Sequence, residues 1–249
     1  MVNYTKKELL AVLTSRALDD GISVFIGIGI SQLAVELARK MGKTRLISIY
    51  EGGSIDPFIK PPFMPYSTND IRVGYRALMY PSCVETFTYM QRGYIDLALM
   101  GAAQIDIHGN VNSSLIRSEK GLLRLPGSGG ANDLASLAGR TIIVAPLEKR
   151  RFIENVDHIT SPGWLNGSRN GSGLIGKGPY KVITDMAIFG FNHGIMRLEA
   201  VIDGLTVDDV LSSMSFKPEI GDVKTIDPPS EVELSLLREI DRDGIFLRD

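Results

Sequence analysis

The chain of 249 residues has one cysteine, Cys83, so it can form no internal disulfide. That usage fits a reducing compartment. Histidine is scarce too. His108, His158 and His193 are far apart and lack ligand-like spacing to one another or to Cys83, so no zinc site is expected. Neither sign of charge dominates: Lys plus Arg is 27, Asp plus Glu is 29, and the net charge is −2. The balance argues against nucleic acid and against a membrane surface as partners. No apolar run approaches the roughly 18 residues of a membrane span. The opening "VNYTKKELL" is too polar for a signal peptide, and a soluble cytoplasmic protein is the expectation. What the chain does have is 44 % hydrophobic and 22 % charged residues. That composition and length suit a globular α/β protein with a full core.

Strand-like and helix-like segments alternate. "TKKELLAVLTSRALDDG" has capping-box spacing at Thr5 and Glu8, an apolar face, and Gly21 as its stop. "ISVFIGI" reads as a buried strand, "GISQLAVELARKMG" as a helix with Gly42 past its end, and "RLISIY" as the next strand. "ETFTYMQRG" is helical, and "YIDLALMGAAQID" reads as one strand running into a loop. "GGANDLASLAG" is a short helix before the strand "TIIVAP". "YKVITDMAIFGF" and "MRLEAVIDG" form a hairpin through "NHG", and "TVDDVLSSMS" and "SEVELSLLREID" are capped helices. This order predicts an open, mainly parallel, doubly wound sheet in a single domain over 1–249, with ligands beyond the carboxyl ends of the strands. Two irregular segments interrupt it. "IDPFIKPPFMPYS" has four prolines and "SPGWLNGSRNGSGLIGKGP" six glycines, so both read as loops over a surface or site.

Few residues stand out for chemistry. No "GxSxG" elbow supports a serine triad. Cys83 is either a nucleophile or, the better fit, a small buried residue at a helix start. Gly27 and Gly29 in "GIGISQLA" resemble the start of a dinucleotide fingerprint, but Gln32 stands where a third glycine belongs, leaving a tight strand-to-helix turn as the plainer reading. "PGSGGANDLA" exposes backbone N–H groups able to hold a phosphate or a developing oxyanion. "EKRRF", 148–152, is either an anion contact or a solvated charged turn. Gln104, Asn110 and Asn112 flank a strand end, where Asn110 is equally turn chemistry. Trp164 reads as an interface or core anchor.

Glu51 is the sharpest candidate. In "LISIYEGGSIDP" it ends a buried strand and two glycines follow at once. The bland reading is a cap or a partner for a nearby arginine. The chemical reading is that the glycines leave a ligand an approach path, and that an ionised carboxylate attacks an activated carbonyl such as a thioester without a general base.

In combination and in this order, "GIGI", "YEGGSID", "GAAQIDIHGNVNSS", "PGSGGAND", "EKRRF" and "TSPGW" resemble the β subunits of class I CoA-transferases, most of all those of glutaconate CoA-transferase. The resemblance implies an open α/β fold and a two-subunit enzyme needing an α subunit. It implies CoA as substrate and covalent intermediate rather than a resident cofactor, and acyl-CoA and carboxylic acids as the other substrates. Glu51 matches the family's nucleophile, and Gly127, Gly129 and Gly130 match the loop that offers backbone donors to the thioester carbonyl. Gly27, Gly29, Gln104, Asn110 and Asn132 are further candidate contacts to substrate or CoA. Relatives that lost the glutamate and became hydrolases or decarboxylases supply the alternative activity. A phosphate-sensing module without enzyme activity is the more distant one.

Overall fold

A computed structural model describes residues 3–61, 63–119 and 121–248. In chain order its elements are α1 (Lys6–Arg16), β1 (Ser23–Ile26), α2 (Ile30–Lys40), β2 (Ile47–Tyr50), α3 (Cys83–Gln91), β3 (Leu97–Met100), β4 (Gln104–Ile105), β5 (Val111–Asn112), β6 (Leu115–Ser118), β7 (Gly121–Arg124), α4 (Ala131–Leu137), β8 (Arg140–Val144), β9 (Pro179–Ile183), β10 (Ala187–Asn192), β11 (Ile195–Ile202), α5 (Val207–Ser212), β12 (Glu219–Ile226) and α6 (Glu231–Ile240). They fall into two compact units. The first runs to Leu99 and resumes at Pro228, and the second is Met100–Asp227. Among the described residues no helix is long and apolar enough to cross a membrane.

In the first unit β1 is the middle strand. It pairs in parallel with β2, Phe25 opposite Ile49, and with β3, Phe25 opposite Ala98. Val24, Phe25 and Ile26 of β1 and Leu97–Met100 of β3 are buried without alternation, as strands of a parallel sheet covered on both faces must be. Helices α1, α2 and α6 pack on one another. The capping box at Thr5 and Glu8 forms as its spacing predicts, and Ser230 and Glu233 build a second one on α6. The helix α1 stops at Arg16, short of Gly21, which instead turns the chain at φ +81°. The two capping glutamates also tie the helices together. Arg16 donates to Glu233 at 2.7 Å, and Arg238 donates to Glu8 at 2.6 Å.

In the second unit the strand order is β12-β11-β10-β9-β8. The pairs β8–β9 and β11–β12 are parallel, while β9–β10 and β10–β11 are antiparallel. The hairpin through His193 and Gly194 forms as expected, with both residues at positive φ, 47° and 76°, as a tight two-residue hairpin turn requires. Phe152, Val182, Phe189, Met196 and Leu198 fill its core. Pairing is thus parallel among β1, β2 and β3 and in two of the four pairs of the β8–β12 sheet, and the expected α/β fold with a large, mostly parallel sheet is present. The segment 94–106 is not one strand. The strand β3 ends at Met100, and Gln104–Ile105 leave it to pair with Val111–Asn112.

Burial raises the carboxyl of Glu233, but hydrogen bonds from Arg16 and Ser230 outweigh it and hold the group down at about 2. Because the folded value lies below the ordinary 4.5, this stabilisation is complete above that pH and is lost as the pH falls through about 2. In chemical denaturation across this range, the stability gap between the parent protein and Glu233→Gln should be constant above pH 4.5 and shrink below it. A gap that does not change with pH would remove Glu233 from the clamp.

Candidate functional site

Glu51 occupies the tip of a chain reversal. The Gly53 amide donates to the Tyr50 carbonyl at 3.0 Å, and the Tyr50 amide donates to the Ser54 carbonyl at 2.9 Å. The returning segment then runs back antiparallel to β2, with Ile55 bridged to Ile49 on one side and to Met79 on the other. The two glycines serve this reversal and not a ligand. A Cβ on Gly53 would lie 1.8 Å from the Pro81 carbonyl oxygen, and one on Gly52 would lie 2.2 Å from Asn69 Oδ1 and 2.7 Å from the Thr68 carbonyl oxygen. The space beside them is filled by the protein's own segments at 67–70 and 79–82, which corrects the approach-path reading. The Glu51 carboxylate, half-buried, has no hydrogen bond or ion pair among the described residues.

Arg39, which reaches Ser48 on β2, is taken by other residues than Glu51. It pairs with Asp56, bonds Glu36 at 2.9 Å, and reaches Ser48 Oγ at 3.0 Å. Burial pushes the Glu36 carboxyl up to about 7 even though Arg39 opposes it. Burial and then the Glu36 charge push the Tyr50 phenol far above its ordinary range. The Tyr50 hydroxyl and both amide atoms of Gln32 are buried and meet no partner among the described residues. Gln32 lies close enough to weigh on the phenol's ionisation, but no donor and acceptor atoms of the two meet in bonding geometry. Glu51 therefore emerges from a buried polar cluster without belonging to it.

Gly27 and Gly29 lie between β1 and α2. Gly29 is the N-cap of α2 at φ 77° and supplies no side-chain cap. The space where a Cβ of Gly27 would project is open. In this arrangement the first amides of α2 are left for an anion.

The remaining candidates lie in the second unit. Ser113 holds the loop at 127–130 from both sides: the Gly127 amide donates to the Ser113 carbonyl and Ser113 Oγ to the Gly127 carbonyl, each at 2.9 Å. The amide of Gly127 is therefore spent, which corrects its expected part as a free donor. Among the described residues the amides of Gly129 and Gly130 bond no backbone carbonyl. Gly130 has an ordinary φ of −78°. Asn132 is exposed and uses one amide proton on the Thr160 carbonyl at 2.8 Å, leaving the rest of its side chain available. Gln104 is buried between Asn112 at 2.6 Å and Asp157 at 2.8 Å. Asn110 is committed entirely. Its Nδ2 donates to Asp106 and to the Leu165 carbonyl, and its Oδ1 accepts from the amides of Gly163 and Leu165. That uses all four of its bonds, so Asn110 is a structural post and not a substrate contact.

Other expectations shift with the coordinates. Cys83 begins α3 but is exposed, not buried. "EKRRF" is a turn, closed by the Arg151 and Phe152 amides on the Glu148 carbonyl at 2.8 and 2.9 Å. Trp164 is half-buried and donates from Nε1 to the Pro179 carbonyl at 2.9 Å. The glycine-rich segment at 161–179 wraps a residue that pattern reading passed over. Arg169, 8 % exposed, donates to the carbonyls of Pro162, Gly163, Gly176 and Ala135. A lone arginine in a glycine-rich run was the available signal.

The signature of the Coenzyme A transferase family matches residues 7–213. The chain belongs to that family. The β subunits of CoA-transferases resemble it along nearly their whole length. That of 3-oxoadipate CoA-transferase from Pseudomonas knackmussii is 34 % identical over 97 % of this chain and 95 % of its own. That of glutaconate CoA-transferase from Acidaminococcus fermentans is 33 % identical over 99 % and 96 %. The crystal structure of that glutaconate enzyme superposes with a TM-score of 0.90 at 31 % identity, covering 99 % of this chain and 98 % of that one. The decarboxylase AibA/AibB shares the fold at a TM-score of 0.82 and 23 % identity, covering 98 % of this chain and 97 % of that one.

For a CoA-transferase chain built this way, the turn and its carboxylate separate by mutation. Gly53→Ala forces a Cβ onto the Pro81 carbonyl at a φ of +105° and should cost more than about 2 kcal/mol in a denaturation midpoint series. Glu51→Gln removes no interaction and should change stability by less than about 0.5 kcal/mol. Equal losses from the two would make Glu51 a structural acid.

Proposed function

We propose that this chain is the β subunit of a two-subunit CoA-transferase whose nucleophile is Glu51. The observation that carries the reading is a carboxylate with no polar partner among the described residues, held at a turn fixed by backbone packing. A structural acid is normally paired. One left unpaired on a rigid support is placed for a reaction.

The chemistry runs in two steps and their reversal. A carboxylate oxygen of Glu51 adds to the acyl-CoA carbonyl, the carbon–sulfur bond breaks, and CoA leaves as the thiolate. The product is an acyl-glutamyl anhydride. The thiolate then adds to the glutamyl carbonyl, the anhydride carbon–oxygen bond breaks, and the donor acid departs as its carboxylate. What remains is glutamyl-CoA thioester. An acceptor carboxylate repeats both steps in reverse and leaves as the new acyl-CoA. The amides of Gly129 and Gly130, which bond no backbone carbonyl among the described residues, are the candidate donors for an oxyanion. The amides at the start of α2, beside Gly27 and Gly29, suit an anionic group of CoA. CoA is substrate and transient adduct, with no resident cofactor.

Two relatives are named for 3-oxoadipate and glutaconate. Both are dicarboxylic acids, and we take a dicarboxylate as the acceptor class here. Both relatives are β subunits, so the α subunit is the expected partner, in the cytoplasm. The full αβ enzyme is the form to assay. It should transfer CoA from an acyl-CoA to a dicarboxylate with ping-pong kinetics, and hydroxylamine should inactivate it only when donor is present. Glu51→Gln should abolish transfer, since a neutral amide is a poor nucleophile. Gly130→Pro suits the backbone φ of −78°, removes the amide N–H and, in a folded protein, should lower kcat by about 10²–10³, the range for loss of one oxyanion donor. Near-parent transfer by Glu51→Gln, with deamidation excluded, would end the nucleophile assignment.

A further inference from the structure

The segment after the Glu51 turn carries an apolar surface with no cover in this chain. Phe58, Phe63, Tyr66, Ile71, Tyr75 and Tyr80 each stand more than half exposed, Ile71 at 89 %. They are contiguous. The rings of Phe58 and Tyr75 meet edge to face at 6.1 Å, and Phe58, Phe63, Ile71 and Tyr75 line one groove of ≈ 450 Å³. Tyr66 lies under the Arg72 guanidinium at 4.5 Å, and Tyr80 stands against Gly74.

This is an ordered frame. Met64, Val73 and Ile59 anchor it from beneath, Ser54 bonds the Val73 carbonyl, and the Phe58 amide bonds the Tyr75 carbonyl at 2.9 Å. A loop that merely lacked structure would not hold its rings outward on buried anchors.

The area decides what covers it. Large side chains offer about 150–250 Å² each, so six at these exposures present roughly 700 Å². That exceeds the roughly 300–600 Å² of the largest patch on an ordinary monomer. It approaches the about 800 Å² that each partner contributes to a stable complex. Charge gives the partner's chemistry. Lys60 lines the groove and Arg76 lies over Phe58 at 5.8 Å, and neither has an ion pair among the described residues. A matching surface is apolar at its centre and carries carboxylates at its rim.

We infer that this surface is where the α subunit docks. The inference rests on the chain being one subunit of a two-subunit transferase. It adds a reason why the β chain needs its partner. Thr68 and Asn69, beside the patch residue Tyr66, pack directly on Gly52, and Pro81, beside Tyr80, packs on Gly53. An α chain seated on the rings therefore abuts the Glu51 turn and screens that carboxylate from water.

The test mixes purified full-length β chain with its α subunit and measures complex formation by sedimentation and by titration. Phe63→Asp with Ile71→Glu changes only exposed side chains. Folding is checked by circular dichroism. The pair should weaken α binding by about 10²-fold or more, the range of interface hot spots. Val232→Glu, exposed on α6 of the same unit, should bind as the parent does. Parent-like α binding by the folded double variant would overturn the docking surface, all the more if that variant splits a β–β dimer. Failure of the parent chain itself to bind the α subunit would overturn the two-subunit reading and the inference with it.

Discussion

The Pro81 carbonyl stands where any side chain on Gly53 would have to be, and the placement of Glu51 follows from that contact. Two close approaches, Pro81 on Gly53 and Asn69 on Gly52, press the reversal after β2 into one shape. The positive φ at Gly53 would disfavour any other residue. The carboxylate thus needs no hydrogen bond to be positioned. Sterics set its direction and leave its oxygens uncommitted. A nucleophile held by polar partners would be stabilised in its resting state and would lose those bonds on attack.

Beneath the turn the charges are arranged to stay out of the way. Arg39 is consumed by Asp56, Glu36 and Ser48, and among the described residues no guanidinium pairs with Glu51. In the second unit the same economy recurs with neutral groups. Gln104, Asn112, Thr160 and Ser113 bond one another and the strands around them, and Ser113 fixes the 127–130 loop at Gly127 alone. One end of the loop is pinned, while among the described residues the amides of Gly129 and Gly130 bond no backbone carbonyl. In both units rigidity comes from groups adjacent to the candidate positions, as preorganisation for a reaction would require.

Much of this was legible in the residues. The capping boxes at Thr5 and Ser230, the "NHG" hairpin and the parallel pairing of three apolar strands rest on local chemistry, and local chemistry survives into the fold. Glu51 stood out as a candidate because an acid before two glycines at the end of an apolar strand is unusual. The purpose of those glycines was not. What fills the space at Gly52 and Gly53 arrives from 16 to 29 residues away, and no local pattern encodes it. Asn110 and Arg169 were opaque because, Asp106 apart, their partners are backbone carbonyls and amides, which carry no side-chain signal. The strand β12 escaped notice because Glu219, Asp222 and Lys224 leave it mostly exposed, with too few apolar residues to mark a strand. Cys83 was misjudged because a small apolar-like residue at a helix start gives no hint of which way that helix turn faces.

The central claim is that Glu51 becomes covalently bound to CoA. Intact-mass and peptide mass spectrometry of the αβ enzyme given donor acyl-CoA and no acceptor tests it directly. The account predicts a gain equal to CoA in thioester linkage on the peptide containing Tyr50–Asp56, localised to Glu51, and reversed by adding acceptor acid. An enzyme that transfers CoA at full rate while that peptide stays unmodified, or carries the adduct on another residue, would contradict it.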